Sequence, residues 1–201
     1  GVEEYLLNHP VKEFWKNIHS TITRTPTLSG YTTTKDCISQ KYPFIQSINS
    51  MLDFCDQVSR VGSFLQRKVG IKKGDKVAVA MRNYPEYLAI LMVVASIGGI
   101  VVFVNAWWTT DEMEYGFDDS TASICFADKE RIETIKPFAK KKNIKLYSVR
   151  CPDDPEIEKY DTILKNTGQL NLNNVSLHPD DDFAIMYTSG STGHPKGVVL
   201  T

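Results

Sequence analysis

The sequence predicts an α/β fold, a mostly parallel sheet with helices on both faces. Three observations predict it. Short, near-continuous apolar runs recur at Val77 to Met81, Ile100 to Val104 and Phe183 to Tyr187, as strands buried on both faces require. Stretches with helical periodicity stand between them, so strands and helices alternate. Turn formers mark the changeovers, Gly70, Gly74-Asp75 and Gly98-Gly99 among them.

Composition agrees with this class. A chain of 201 residues makes one ordinary domain or two small ones, and it can bury a core without disulfide or metal staples. Apolar residues are 42% and charged residues 23%, which is globular usage and argues against wholesale disorder. Lys and Arg total 23 against 24 Asp and Glu, a net charge of −1. That balance argues against nucleic-acid binding driven by bulk charge. Cys37, Cys55, Cys125 and Cys151 are far apart and form no CxxC pair. They read as reduced thiols of a cytoplasmic protein, not as a zinc site. Gly1 to Thr34 is polar and broken by Pro10 and Pro26, unlike a secretory signal. The chain starts at Gly1 and stops just past Val198-Val199-Leu200, and it reads as a piece of a longer protein.

Two regions are expected: residues 1–50, a helix around Val11 to Ile18 with an irregular segment, and residues 51–201, an α/β subdomain. Ser50 and Asp53 suggest a capping box. Met51, Phe54, Val58, Val61 and Leu65 follow at alternating spacings of three and four, an amphipathic helix that Gly70 stops. Gly74-Asp75 turns the chain into the strand Val77 to Met81. A helix starts near Pro85, and Gly98-Gly99 leads into the strand Ile100 to Val104. Thr109 and Glu112 form a second capping box, opening a helix through Phe117. Ser123 to Ala127 is a strand, and Glu130 to Lys142 is helical but interrupted at Pro137. Lys145 to Val149 is a strand, Tyr160 to Asn166 a short helix, and Phe183 to Tyr187 the last clear strand.

From Tyr87 to Thr110 no residue is charged, and a run of this length raises the question of a membrane span. Gly98-Gly99 falls in its middle. Helix formers precede that pair, β-branched and aromatic residues follow it, and the flanks are acidic. The run therefore predicts a buried helix, a turn and a buried strand. No transmembrane span is expected, while peripheral membrane contact stays open.

Ligands of parallel α/β folds bind beyond the carboxyl ends of strands, which directs attention to the segment after Tyr187. It reads Thr188-Ser189-Gly190-Ser191-Thr192-Gly193-His194-Pro195-Lys196-Gly197. Thr188, Ser189, Ser191 and Thr192 supply hydroxyls, Gly190 and Gly193 permit close backbone approach, and Lys196 adds positive charge. A polyphosphate needs this set of donors, low bulk and positive potential. The spacing is neither that of the common nucleotide loop nor a GxGxxG fingerprint. A Ser/Thr/Gly-rich hairpin turn, with Val198 to Leu200 pairing back on Phe183 to Tyr187, or a flexible linker competes with the phosphate loop at this point.

Tyr187 to Thr201 resembles the phosphate-binding signature of the adenylate-forming enzymes, which include acyl-CoA synthetases, luciferases and peptide-synthetase adenylation domains. The resemblance extends upstream through Gly70-Ile-Lys-Lys-Gly-Asp-Lys-Val-Ala-Val and Asn83-Tyr-Pro-Glu to Gly98-Gly99. Asn105-Ala-Trp-Trp-Thr-Thr-Asp-Glu-Met-Glu-Tyr-Gly, Asp119-Ser120 and Phe126-Ala127-Asp128 look most like bacterial acyl-CoA synthetases. It covers about Met51 to Thr201 and implies the amino-terminal part of such an enzyme's large domain.

The resemblance implies a two-step ligase. A carboxylic acid, expected to be fatty or otherwise apolar, reacts with ATP to an acyl-adenylate and then passes to a thiol, commonly coenzyme A. It implies phosphate contacts from Thr188, Ser189, Ser191 and Thr192, close approach at Gly190 and Gly193, and charge neutralisation by Lys196. The family's magnesium-binding glutamate, its adenine and ribose contacts and its late catalytic lysine follow the loop, beyond Thr201. The chain alone is therefore expected to be inactive, with Mg2+ and CoA held by parts of the enzyme outside it. The alternatives are an amino-acid or aryl-acid adenylating enzyme, or a non-catalytic module of the same fold.

Other residues receive plainer readings. Trp107-Trp108 reads as packing, ahead of an acyl channel or a membrane contact. His194 reads as incidental, and Asp180-Asp181-Asp182 as a solvated turn. Lys140-Lys141-Lys142 reads as a solvated helix end beside the negative pole of the dipole.

Overall fold

The computed structural model describes residues 51–168, 172–188 and 194–201. The chain divides into two units, Gly1–Asp56 and Gln57–Thr201. The expected helix at Val11 to Ile18, Cys37 and the box residue Ser50 lie outside the described residues.

Met51–Phe64 forms α1 and runs into a π-helical turn, Leu65–Val69. Gly70, at φ 85°, ends it by donating its N–H to the Leu65 carbonyl. Alternation then follows in order: β1 Lys76–Ala80, α2 Pro85–Ser96, β2 Ile100–Phe103, α3 Thr110–Ser120, β3 Ile124–Ala127, α4 Lys129–Ala139 and β4 Lys145–Ser148. Strand β5 Glu158–Lys159, helix α5 Tyr160–Asn166 and the hairpin β6 Ala184–Thr188, β7 Lys196–Leu200 complete it. The sheet order is β5-β4-β3-β1-β2-β6-β7. Every pairing is parallel except β6–β7. The expected α/β class and parallel sheet are what the chain adopts.

Strand alternation assigns the two faces. Ala78, Ala80, Val102, Cys125 and Ala127 pack on one side with Met113 and Phe117 of α3 and Ile132, Ile135 and Phe138 of α4. Small side chains at the sheet's centre let those helices approach closely. The opposite side presents Val77, Val79, Val101 and Phe126, all fully buried. There Phe126 stacks on Tyr147 at 5.0 Å, and Tyr147 meets the edge of Phe64 at 5.3 Å. Each aromatic buried this way contributes about 1.5–3 kcal/mol. No helix among the described residues is long and apolar enough to cross a membrane. The uncharged run divides as expected, α2 ending at Ser96 and β2 starting at Ile100. Gly98 takes φ 75°, open to glycine at little cost. At Gly99 a Cβ would lie 2.8 Å from a Val94 methyl.

Two expectations are corrected. Pro137 does not interrupt α4, which runs through it to Ala139 and stops short of Lys142. The hydrogen bond that Pro137 cannot donate would reach Glu133, and both residues are exposed, so the missing bond falls on the solvent side of the helix. Burial of Ile135, Phe138 and Ala139 keeps the last turn helical. Lys142 is not a merely solvated charge, since it bridges Glu114 at 3.0 Å and Asp118 at 2.6 Å on α3. The Asp180–Asp182 segment is a turn as read, with Asp181 accepting from the His178 N–H at 2.6 Å and pairing with Lys73. Cys55, Cys125 and Cys151 are free thiols.

Two stability predictions arise from this packing. The Thr109 side chain accepts from the Glu112 N–H while the Glu112 carboxylate accepts from the Thr109 N–H at 2.8 Å, the expected box. Thr109→Ala should lower stability by about 1 kcal/mol, read as a lower urea midpoint with unchanged slope. Tyr147 is fully buried, and its hydroxyl has no hydrogen-bond partner among the described residues. Burial pushes its pKa from 10.0 up to about 12, so its contribution to stability is complete below pH 10 and is lost as pH rises towards 12. An unpartnered buried hydroxyl costs about 1–3 kcal/mol. Tyr147→Phe should therefore raise the midpoint at pH 7 and flatten its decline above pH 10, measured by urea titrations between pH 7 and 11.

Candidate phosphate-binding site

β6 enters the sheet beside β2 in parallel register, and β7 returns antiparallel to it with Tyr187 opposite Gly197 and Thr188 opposite Lys196. The pairing foreseen for a hairpin is therefore present. This pairing brings Thr188 and Lys196 side by side at the carboxyl end of β6. The Thr188 hydroxyl lies 3.5 Å from the Lys196 carbonyl. Lys196 is exposed, with no ion pair among the described residues. Ser189, Gly190, Ser191, Thr192 and Gly193 lie outside the described residues.

Helix α3 backs this hairpin. The Tyr187 hydroxyl lies 2.8 Å from Asp119 Oδ2 and 3.1 Å from the Gly116 carbonyl. Burial foremost, and the neighbouring Asp119, push the Tyr187 pKa up, so this phenol remains a hydrogen-bond donor at neutral pH. Trp108 packs edge-on against Tyr187 at 5.2 Å. Its ring occupies the space over Gly116, where a Cβ would meet it at 2.7 Å. At Gly197 a Cβ would stand 3.2 Å from Asp119 Oδ2 and 3.3 Å from the Tyr187 ring, so β7 passes close to α3. The His194 ring stacks on Tyr115 with centroids 4.7 Å apart and planes 22° from parallel, a contact the sequence did not announce.

The neighbouring strand ends are tied by charge. Asp128 caps α4 and accepts from the Arg82 N–H at 3.0 Å. Arg131, 3% exposed, donates Nε–H to the Ala106 carbonyl at 2.8 Å and pairs with Asp128 at 3.2 Å. The tryptophan pair divides here. Trp108 packs as read, but Trp107 is 76% exposed, with the Arg82 and Arg131 guanidinium carbons 5.3 and 5.5 Å from its ring centroid. The sequence marks Tyr115 and Asp119 only as part of a resemblance, without these contacts, and does not single out Arg131. Tyr115 and Asp119 stand four apart after a capping box, which marks one helix face, but no local pattern says that this face meets the hairpin. No group of three or more His, Cys, Asp or Glu suited to a metal occurs among the described residues. A broad concavity beside the amino end of β4 contains Lys136, Lys145, Asp154 and Glu158. It lies at the wrong end of the sheet for a strand-end ligand, and Lys136 there is already paired with Asp154.

Comparisons with known proteins agree with this geometry. The AMP-binding enzyme family matches residues 50–201. 4-Coumarate–CoA ligase CCL1 of Humulus lupulus is 32% identical over 136 residues, covering 67% of this chain and 25% of the ligase. Crotonobetaine/carnitine–CoA ligase of Shigella flexneri serotype 5b (strain 8401) is 30% identical over 158 residues, covering 76% and 31%. Among solved structures, ATP-bound MatB from Rhodopseudomonas palustris superposes with a TM-score of 0.63 at 25% identity, covering 74% of this chain and 28% of that one. The chain thus spans between a quarter and a third of these relatives' lengths. With its parallel sheet and a family match over residues 50–201, the chain belongs to the AMP-binding enzymes.

Proposed function

We propose that this chain is part of an ATP-dependent, AMP-forming acid–thiol ligase and carries its triphosphate grip. One observation carries the reading: Lys196 is exposed, without an ion pair among the described residues, and stands beside Thr188 at the mouth of a strand-end hairpin. The names of relatives support it, two being acid–CoA ligases and one a structure with ATP bound.

In the first step a carboxylate oxygen attacks the α-phosphorus of ATP. The bond from that phosphorus to the bridging oxygen breaks, and pyrophosphate leaves with the electron pair. In the second step the thiol of coenzyme A attacks the acyl carbon, and AMP leaves. Negative charge grows on the departing pyrophosphate, and fixed donors aimed at it lower the barrier. Lys196 neutralises that charge, while Thr188, Ser189, Ser191 and Thr192 donate hydroxyl hydrogen bonds. Gly190 and Gly193 let backbone N–H groups come close. The described residues lack a carboxylate cluster fit for Mg2+. Mg2+ and CoA belong to the rest of the enzyme, and the 201-residue chain is inactive by itself.

The acid is fatty or otherwise apolar in the first reading. An aryl acid is the second, favoured by the 4-coumarate ligase among the relatives.

Inorganic tripolyphosphate probes the grip without needing an adenine pocket. Titrated into the isotopically labelled chain, it should shift the amide resonances of Thr188 and Lys196. Lys196→Ala should bind about tenfold more weakly or worse, the scale of one lost charge-assisted hydrogen bond, with its melting temperature unchanged. A variant that melts like the parent and binds tripolyphosphate equally well removes Lys196 from the grip. Acid-dependent ATP–pyrophosphate exchange should be absent from the 201-residue chain, and robust exchange would overturn the view that it is inactive alone.

A further inference from the structure

The phosphate grip has a back as well as a mouth. Tyr115 and Asp119 stand four residues apart on α3 and so share one face of that helix. From that face each reaches a different limb of the hairpin. Asp119 accepts from the Tyr187 hydroxyl at 2.8 Å and so holds the outgoing strand, β6. Tyr115 stacks on the His194 ring at 4.7 Å and so holds the returning limb just before β7. The two limbs meet where Tyr187 faces Gly197 and Thr188 faces Lys196. Successive side chains alternate along a strand, so Thr188 and Lys196 point away from the face that Tyr187 turns to α3. One side of the hairpin is clamped and the other is free for a ligand.

We propose that Tyr115 and His194 form a positioning brace for the phosphate grip, with Asp119 and Tyr187 as its second point of attachment. The proposal rests on the reading that the hairpin binds polyphosphate. Neither Tyr115 nor His194 touches the ligand. Their work is to fix the returning limb, so that Lys196 reaches a phosphate without first being ordered. Preorganisation of this kind raises affinity by removing the ordering cost from the binding step. A brace at two points also explains the absence of a side chain at Gly197, since a Cβ there would press on Asp119 and Tyr187 together.

The test is a double-mutant cycle on the full 201-residue chain, with tripolyphosphate as ligand and Lys196→Ala run in parallel. Tyr115→Leu and His194→Leu should each weaken binding about three- to tenfold, the scale of ordering one or two side chains. The double variant should be no weaker than either single one, because both remove the same stack. Tyr115→Phe keeps the ring and should restore parental affinity. Upfield ring-current shifts of the His194 ring protons should be present in the parent and in Tyr115→Phe, and lost in Tyr115→Leu. A purely structural role for Tyr115 would lower the melting temperature without coupling to His194. Parental affinity in Tyr115→Leu, or losses that simply add in the double variant, overturns the brace while leaving the grip intact if Lys196→Ala is still weakened. Equal binding by Lys196→Ala and the parent removes the grip, and the brace with it.

Discussion

Burial of β1 on both faces is the constraint from which the rest of the molecule is built. Val77, Val79, Ala78 and Ala80 are all fully buried, so neither side of the sheet's centre can face water. Parallel neighbours β2 and β3 flank β1, and each crossover must place a helix on one face. The alternation of small and β-branched residues on β1 then sets a tight layer under α3 and α4 and a thicker aromatic layer on the other side. Positions far from β1 inherit their places from this. β6 lies parallel to β2 because only that edge of β2 remains, and the hairpin is thereby carried to the carboxyl side of the sheet.

That carboxyl side is held by one buried ion pair. Two charges out of water are costly unless their hydrogen-bonding capacity is satisfied. Arg131 meets this condition with Asp128, the exposed Glu130 and the Ala106 carbonyl, while Asp128 also accepts from the Arg82 N–H. The pair joins the ends of β1, β2 and β3 through atoms no apolar substitute could replace. Its effect is geometric. Three strand ends are fixed relative to one another, and the segment leading from β2 into α3 begins from a defined point. The orientation of α3, and so of Tyr115 and Asp119, descends from that tie.

Much of this was legible in the sequence, and the reasons are local. Val77 to Met81 and Ile100 to Val104 announce buried strands because every side chain in them is apolar, and Thr109 with Glu112 announces a helix start because two orphan N–H groups need partners there. The segment after Tyr187 suggests a phosphate loop by composition, and the structure brings its described members Thr188 and Lys196 together. What was not legible depends on pairs distant in sequence. Tyr187 and Asp119 are 68 residues apart, and nothing local in either foretells the other. Pro137 misled because its rule concerns hydrogen bonds alone, whereas three buried neighbours outweigh the single bond it cannot donate. Trp107 misled in the opposite sense. Composition favours burying tryptophan, but Trp108 takes the space over Gly116, while Trp107 stands against two guanidinium groups at the surface.

Under the proposed function, the hairpin serves two demands that conflict. A phosphate loop needs glycine and small hydroxyl residues, which resist no bending and hold no position of their own. A catalytic grip needs fixed donors, since reorganisation at the moment of reaction erodes electrostatic stabilisation. The chain separates the tasks in space. Tyr187 and His194, which border the polar stretch of sequence, carry aromatic rings that dock on α3. Rigidity is thus imported from a helix whose own place is set by the sheet. Thr188 and Lys196 stand opposite one another on the other side of the hairpin, where the proposed ligand would meet donors without bulk. An anchor on the ligand side would fill the space that phosphate oxygens need, which is why the holding contacts belong on the face turned to α3.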